Sequence, residues 1–167
     1  MNELLREAFR HNAWAGRELL AFCRSLTPEQ LRATTQGTYG SIIDTLNHHI
    51  NWDPAYLPRD RVERPEWAGD DETIDDLDVL ASRVDESARL WEAYLSGDPL
   101  GADHKLLLDQ GAYEVSASIP VVQALHHGNV HREQVCSIIT SLGLEPPDLQ
   151  PWTYAEAAGL ARQVTPT

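Results

Sequence analysis

The stretch Ala124-Leu125-His126-His127-Gly128-Asn129-Val130-His131-Arg132-Glu133-Gln134-Val135 constrains this chain more than any other, because it asks an apolar helix face to bury imidazoles. Ser118 and Pro120 open a helical pattern there that closes at Gly143. At about 100° per residue, Val121, Ala124, Gly128, Val135, Ile138, Ile139 and Leu142 gather on one side. His131 falls inside that stripe, His127 at its edge, and His126 nearly opposite. Residues four apart stack on one helix face, so His127 and His131 can aim ring nitrogens at a single point. Burying an imidazole without a partner is costly, and either hydrogen-bond acceptors or a shared cation would remove that cost. The spacing alone does not choose between them. Neutral imidazole ligates zinc, nickel, copper and iron, and catalytic zinc takes three protein ligands and keeps one open position. A metal clamp on this helix therefore needs a third ligand from elsewhere in the chain.

Ser41 is placed to cap a helix from Ile42 to about Asp53, with Asp44 at its third position beside the positive end of the dipole. Pro54 predicts a kink or an end there. His48 and His49 lie on this helix and cannot both face one point. The apolar direction set by Ile42, Ile43, Leu46 and Ile50 lies nearer His49, whereas His48 shares a more polar face with Thr45 and Trp52. The apolar moment thus favours His49 and the polar lining His48, which leaves the choice between them level.

The remainder frames these helices. The chain has 167 residues, enough for one domain over 1–167 with a real core, and its 26 acidic against 13 basic residues give a net charge of −13. That balance argues against nucleic-acid or anionic-membrane surfaces, which need clustered positive charge. Cys23 and Cys136 are too few for a disulfide framework and lack metal-ligand spacing, so both read as small buried thiols. The acidic, amphipathic start shows neither a signal peptide nor a membrane span, and the default location is cytoplasmic.

A first helix is expected over Glu3 to Leu26, then a short turn of helix with Thr27 as cap and Pro28 at its first position. Pro58 to Asp71 reads as a surface loop. Thr73 is the expected cap of a third long helix reaching about Leu95, with Leu77, Leu80, Val84, Ala88, Trp91 and Leu95 inward, Gly97 just past its end and its acids in solvent. Asp109-Gln110-Gly111, between Lys105-Leu106-Leu107-Leu108 and Tyr113-Glu114-Val115-Ser116-Ala117, suits a short hairpin. His11 is expected at a rim and His104 in solvent. After Pro146-Pro147, residues Ala155 to Ala161 predict a last short helix. Four main amphipathic helices joined by long connections make an all-α helical bundle, and bundles build metal sites from side chains on facing helices.

His127-Gly128-Asn129-Val130-His131-Arg132-Glu133-Gln134-Val135 resembles the fourth-helix signature of the DinB-like superfamily, a pair of histidines four apart followed by arginine and, two residues on, glutamine. Thr45-Leu46-Asn47-His48 resembles the second-helix motif of the same group, with leucine two residues before the histidine. Gly111-Ala112-Tyr113-Glu114-Val115 and Pro147-Asp148-Leu149 with Trp152 and Tyr154 extend the likeness over most of the chain. The resemblance implies a four-helix bundle of up-down-down-up topology, often a homodimer. It implies one divalent metal, zinc or nickel first and iron or manganese next, held by His48, His127 and His131, with His49 as the alternative that periodicity favours. It also implies kinship with metal-dependent transferases that use low-molecular-weight thiols such as mycothiol, bacillithiol or glutathione, on a small-molecule substrate and without nucleic acid. A non-catalytic metal-binding or sensing bundle is the alternative. Thr45, Trp52 and Tyr154 are candidates for a pocket wall, and Arg132 or Glu133 for support of the histidines, each also readable as an ordinary packing or surface residue.

Overall fold

A computed structural model describes residues 2–97, 99–101, 103–108 and 112–162. Among them the chain is mostly helical, with helices α1 (Asn2–Cys23), α2 (Pro28–Leu31), α3 (Ile42–Trp52), α4 (Leu77–Ser96), α5 (Ser118–Ser141) and α6 (Pro151–Ala157). One two-stranded sheet stands between α4 and α5, with β1 (Lys105–Leu108) antiparallel to β2 (Tyr113–Ser116) and Lys105 opposite Ser116. The expected turn at Asp109-Gln110-Gly111 lies outside the described residues.

Short polar side chains set the helix starts. Thr27 and Ser41 each form a capping box, Thr27 with Gln30 and Ser41 with Asp44, satisfying backbone N–H groups that the first turn leaves free. The latter box fixes where α3 begins and hence which of its residues reach α5. Pro54 ends α3 at Trp52 and carries the chain into a single 3₁₀ turn, Pro54–Tyr56. At the other end of α5, Gly143 sits at φ 76°, the left-handed conformation that a side chain resists. Leu144 N–H then bonds Ile139 O at 3.2 Å and Gly143 N–H bonds Thr140 O at 2.9 Å, closing the helix.

The apolar faces meet in two clusters. Ala13, Leu19, Leu20 and Cys23 of α1, Ile42, Ile43, Leu46 and Ile50 of α3, Leu80 and Val84 of α4, and Val135, Ile138 and Ile139 of α5 form the larger. Each fully buried leucine or isoleucine contributes about 1.5–3 kcal/mol. Phe9, Leu57, Trp91, Tyr94, Leu95 and Ala124 form the second, in which Phe9 stacks on Trp91 with ring centroids 4.0 Å apart. Cys23 is buried and Cys136 half-buried, and both are free thiols. No described helix is long and apolar enough to cross a membrane.

Three sequence expectations are corrected. The cap of α4 is Asp76, whose carboxylate accepts from the N–H groups of Asp78 and Val79; Thr73 instead donates its hydroxyl to Asp44. Asp76 wins because it stands immediately before Leu77, the first residue of the apolar pattern, where its carboxylate reaches the free N–H groups of the first turn. The last helix starts at Pro151, not Ala155, since a proline is well suited to a first helical position. Leu142 is 36 % exposed rather than part of the buried stripe. The reversal at Gly143 sends Leu144 back onto the core in its place.

The acids of α4 are also more than a solvated face. Arg6 and Arg10 pair with Glu92, Arg17 with Asp85 and Arg24 with Asp78. The Arg17–Asp85 and Arg24–Asp78 pairs are exposed and stabilise little, while those of Arg6 and Arg10 with Glu92 are half-buried.

Candidate metal centre

His48 comes from the second turn of α3, while His127 and His131 come from successive turns of α5. The Nε2 atoms of His48 and His127 lie 3.1 Å apart. One nitrogen from each of the three rings falls within 4.8 Å of the other two. The ring centroids are 4.4 Å apart for His127 and His131 and 4.9 Å for His48 with either. Two nitrogens each about 2.0–2.1 Å from one ion and roughly 90–110° apart would sit about 2.9–3.4 Å from each other. The closest pair already has that separation.

The rings are also in the right chemical form. Burial pulls His48, His127 and His131 below the ordinary imidazole value, and His127 falls to about 3 because burial is reinforced by the neighbouring histidines. All three are thus neutral at pH 7, as ligands must be. Gln134 Oε1 accepts from His131 Nδ1 at 2.9 Å and from the Tyr39 backbone N–H at 3.3 Å. This leaves His131 Nε2 with its lone pair free. Among the described residues, the buried Nδ1 atoms of His48 and His127 have no hydrogen-bond partner. Asp71 stands 3.7 Å from His48 Nδ1, beyond hydrogen-bond reach.

Aromatic rings surround the group. Tyr39 stacks on His48 at 4.1 Å and meets His131 edge-on at 5.5 Å, and Tyr56 meets His127 at 5.5 Å. Trp52 lies 6.0 Å from His48 and donates its indole N–H to Asp71. A cleft of about 450 Å³, lined by Tyr39, Gly40, Asp44, His48, Asp71 and Thr73, opens beside His48.

Of the two adjacent histidines, His49 is the more deeply buried, at 5 % exposure, as the apolar direction of α3 predicts. His49 nevertheless stands outside the group of three, its ring 6.4 Å from that of His127. The apolar moment locates the core, and the cluster lies off that axis, toward α5. Among the residues expected around the site, Trp52 is there. Thr45 is fully buried and spends its hydroxyl on Ser41 O, so it offers no pocket wall. Tyr154 is elsewhere, donating to Glu7 and packing on His11 and Trp14. Arg132 turns away from the imidazoles toward Asn12, and Glu133 is exposed. His11 is half-buried and donates to Leu149 O, and His104 is exposed. Tyr39, Tyr56 and Asp71 were missed, since nothing local to their segments marks them; Gln134 was visible only as part of the motif.

A mostly helical protein whose two core-facing helices bring three neutral histidines to one point belongs to the class able to hold a metal ion on imidazoles alone. More particularly, the chain belongs to the DinB family, which it matches over residues 1–164. No curated protein matches it.

Proposed function

We propose that this protein binds one divalent cation through His48, His127 and His131 and uses it in thiol-dependent S-transfer to a small electrophile. The observation that carries the reading is the convergence of three neutral imidazole nitrogens within 4.8 Å from two helices. The facing Nε2 atoms of His48 and His127, 3.1 Å apart, support it, because two imidazole nitrogens at that separation suit one shared cation. A cation held there would supply the Lewis acidity that lowers the pKa of a low-molecular-weight thiol, its proton passing to solvent, so that the sulfur could bond to an electrophilic carbon as the bond from that carbon to its leaving group breaks.

The protein's own part is positional. Gln134 holds the His131 tautomer, Tyr39 and Trp52 wall the approach to His48, and the cleft beside it admits a small molecule. The scaffold in this reading is a one-domain, up-down-down-up four-helix bundle. Its support is the order of pairing. Arg6 and Arg17 of α1, then Arg24 just past its end, ascend as Glu92, Asp85 and Asp78 descend α4. Tyr39, His48 and Tyr56 likewise ascend through α3 and its flanks as His131 and His127 descend α5, whereas Asn51 and Asp53 at the end of α3 ascend with Arg83 and Ser87 of α4, so that α3 and α4 run parallel.

Metal analysis of untagged protein, paired with thiol consumption over a panel of electrophiles, tests the proposal. About one equivalent of zinc or nickel, lost in His127→Ala, together with metal-dependent turnover, is the expected result. A metal equivalent that raises the melting temperature without turnover for any electrophile replaces the transferase with a non-catalytic metal-binding bundle. Less than about a tenth of an equivalent after incubation with either metal refutes both.

A further inference from the structure

Asp53 follows α3 immediately and lies five residues after His48, wholly inside the protein. Its Oδ2 accepts from Trp91 Nε1 at 3.0 Å and from the Ser87 hydroxyl, both on α4. Its Oδ1 accepts from Asn12 Nδ2 of α1 at 3.1 Å. Asn12 turns its other end to α5, where Oδ1 accepts from Arg132 Nη1 at 2.7 Å; Arg132 Nη2 donates to Asn129 at 2.7 Å. Asp53, Asn12, Ser87, Trp91 and Arg132 are all buried. One carboxylate and one amide thus tie together the four long helices. The amide cannot be turned over, because its donor end must face the carboxylate and its acceptor end the guanidinium.

The placement of this network bears on the histidines. Arg132 directly follows His131, and Gly128 directly follows His127. Gly128 has no side chain where Asn12 Oδ1 and Arg132 Nη1 come together, and a Cβ there would stand 2.6 and 3.0 Å from them. The network touches none of the three imidazoles, yet it joins the helix that carries His48 to the helix that carries the other two. Ligand distances at a metal tolerate only about ±0.2 Å, so a slip of α3 along α5 by about half an ångström exceeds what the site can absorb. Stability alone does not account for a buried charged network, since apolar replacements of similar volume are often as stable. Fixing the relative register of packed helices does.

Resting on the metal reading above, we infer that Asn12, Asp53 and Arg132 are positioning residues that set the register of α3 against α5, and through it the affinity and geometry of the three-histidine site. A reciprocal exchange tests this. Asp53→Asn sets an amide donor against Asn12 Nδ2, and Asn12→Asp sets two carboxylates face to face, so each single change breaks the link. Together they restore it with acid and amide swapped, and Arg132 gains a carboxylate partner.

Co²⁺ is the probe, with its affinity read by chelator competition and its coordination by the visible d–d bands, on protein whose folding is checked by urea titration in chelator. The expected result is that each single variant binds Co²⁺ about 10-fold or more weakly with altered bands, and that the double variant returns to within about 3-fold of the native protein with native bands. Folded single variants with native Co²⁺ affinity and bands overturn the inference, even if less stable, because a purely structural network predicts that outcome. So does a folded double variant as weak as the worse single. If a single variant does not fold, the double variant still decides. Native protein that binds no Co²⁺ overturns the metal reading as well, whereas unchanged variants of a Co²⁺-binding native protein overturn this inference alone.

Discussion

Replacing Gly128 with alanine sets two effects of opposite sign against each other. In the interior of an exposed helix the change would stabilise by about 1 kcal/mol, through the higher helix propensity of alanine. Here the new methyl would sit 2.6 Å from Asn12 Oδ1, 3.0 Å from Arg132 Nη1 and 3.4 Å from His49 Cε1. Asn12 has no slack to yield, because it accepts from Arg132 at 2.7 Å and donates to Asp53 at 3.1 Å. Moving it costs a buried hydrogen bond to a charged group, about 1.5–3 kcal/mol. Overpacking at this contact adds about 1–3 kcal/mol. After subtracting the propensity gain, Gly128→Ala should destabilise by about 1.5–5 kcal/mol, centred near 3. For a chain of this length that lowers the melting temperature by about 6–12 °C. Urea and thermal unfolding of native and variant protein, both in chelator so that bound metal adds nothing, give the number. A variant as stable as the native protein, or about 1 kcal/mol more stable, refutes the argument that α1 and α5 touch through this glycine.

The metal-free protein should weaken as pH falls. His127 is held at about 3 against an unfolded value near 6.5, so the folded state binds fewer protons across that window and stability drops as pH falls through it. The slope is up to about 1.4 kcal/mol per pH unit, or about 2 kcal/mol between pH 6.5 and 5 from this group alone. His48 and His131 act in the same direction. Asp53 acts oppositely, since burial raises its carboxyl. A flat urea midpoint between pH 7.5 and 5 in chelator contradicts the burial of these rings, and His127→Ala should flatten the native curve. Asp76→Ala should cost about 1 kcal/mol and Thr73→Ala clearly less; the reverse order in urea melts would reinstate Thr73 as the cap of α4. Arg17→Ala, which breaks only an exposed pair with Asp85, should change stability by less than about 1 kcal/mol. A larger loss would mean that the pairs between α1 and α4 cooperate.

Much of the helical layout was legible because its causes are local. The Ser41 and Thr27 caps, the stop at Pro54 and the reversal at Gly143 each depend on a few adjacent residues, and each stands where the sequence puts it. Errors fell where neighbouring residues compete for one role, as Thr73 and Asp76 do for the cap of α4. Tyr154 was misplaced for a different reason. Its partners Glu7, His11 and Trp14 belong to the opposite end of the chain, and no local rule brings them to it.

By itself, then, the sequence determined that α5 carries two inward imidazoles one turn apart, because helical geometry makes spacing and direction the same fact. It also determined that α3 offers two candidates for a third. Only the tertiary structure decided that His48 turns to α5 while His49 turns to the core, because that depends on where a second helix lies around the first. Only the tertiary structure disclosed Tyr39 over His48, and Arg132 held by Asn12 against Asp53, contacts that span 9 to 120 residues of chain and exist once the four long helices have packed.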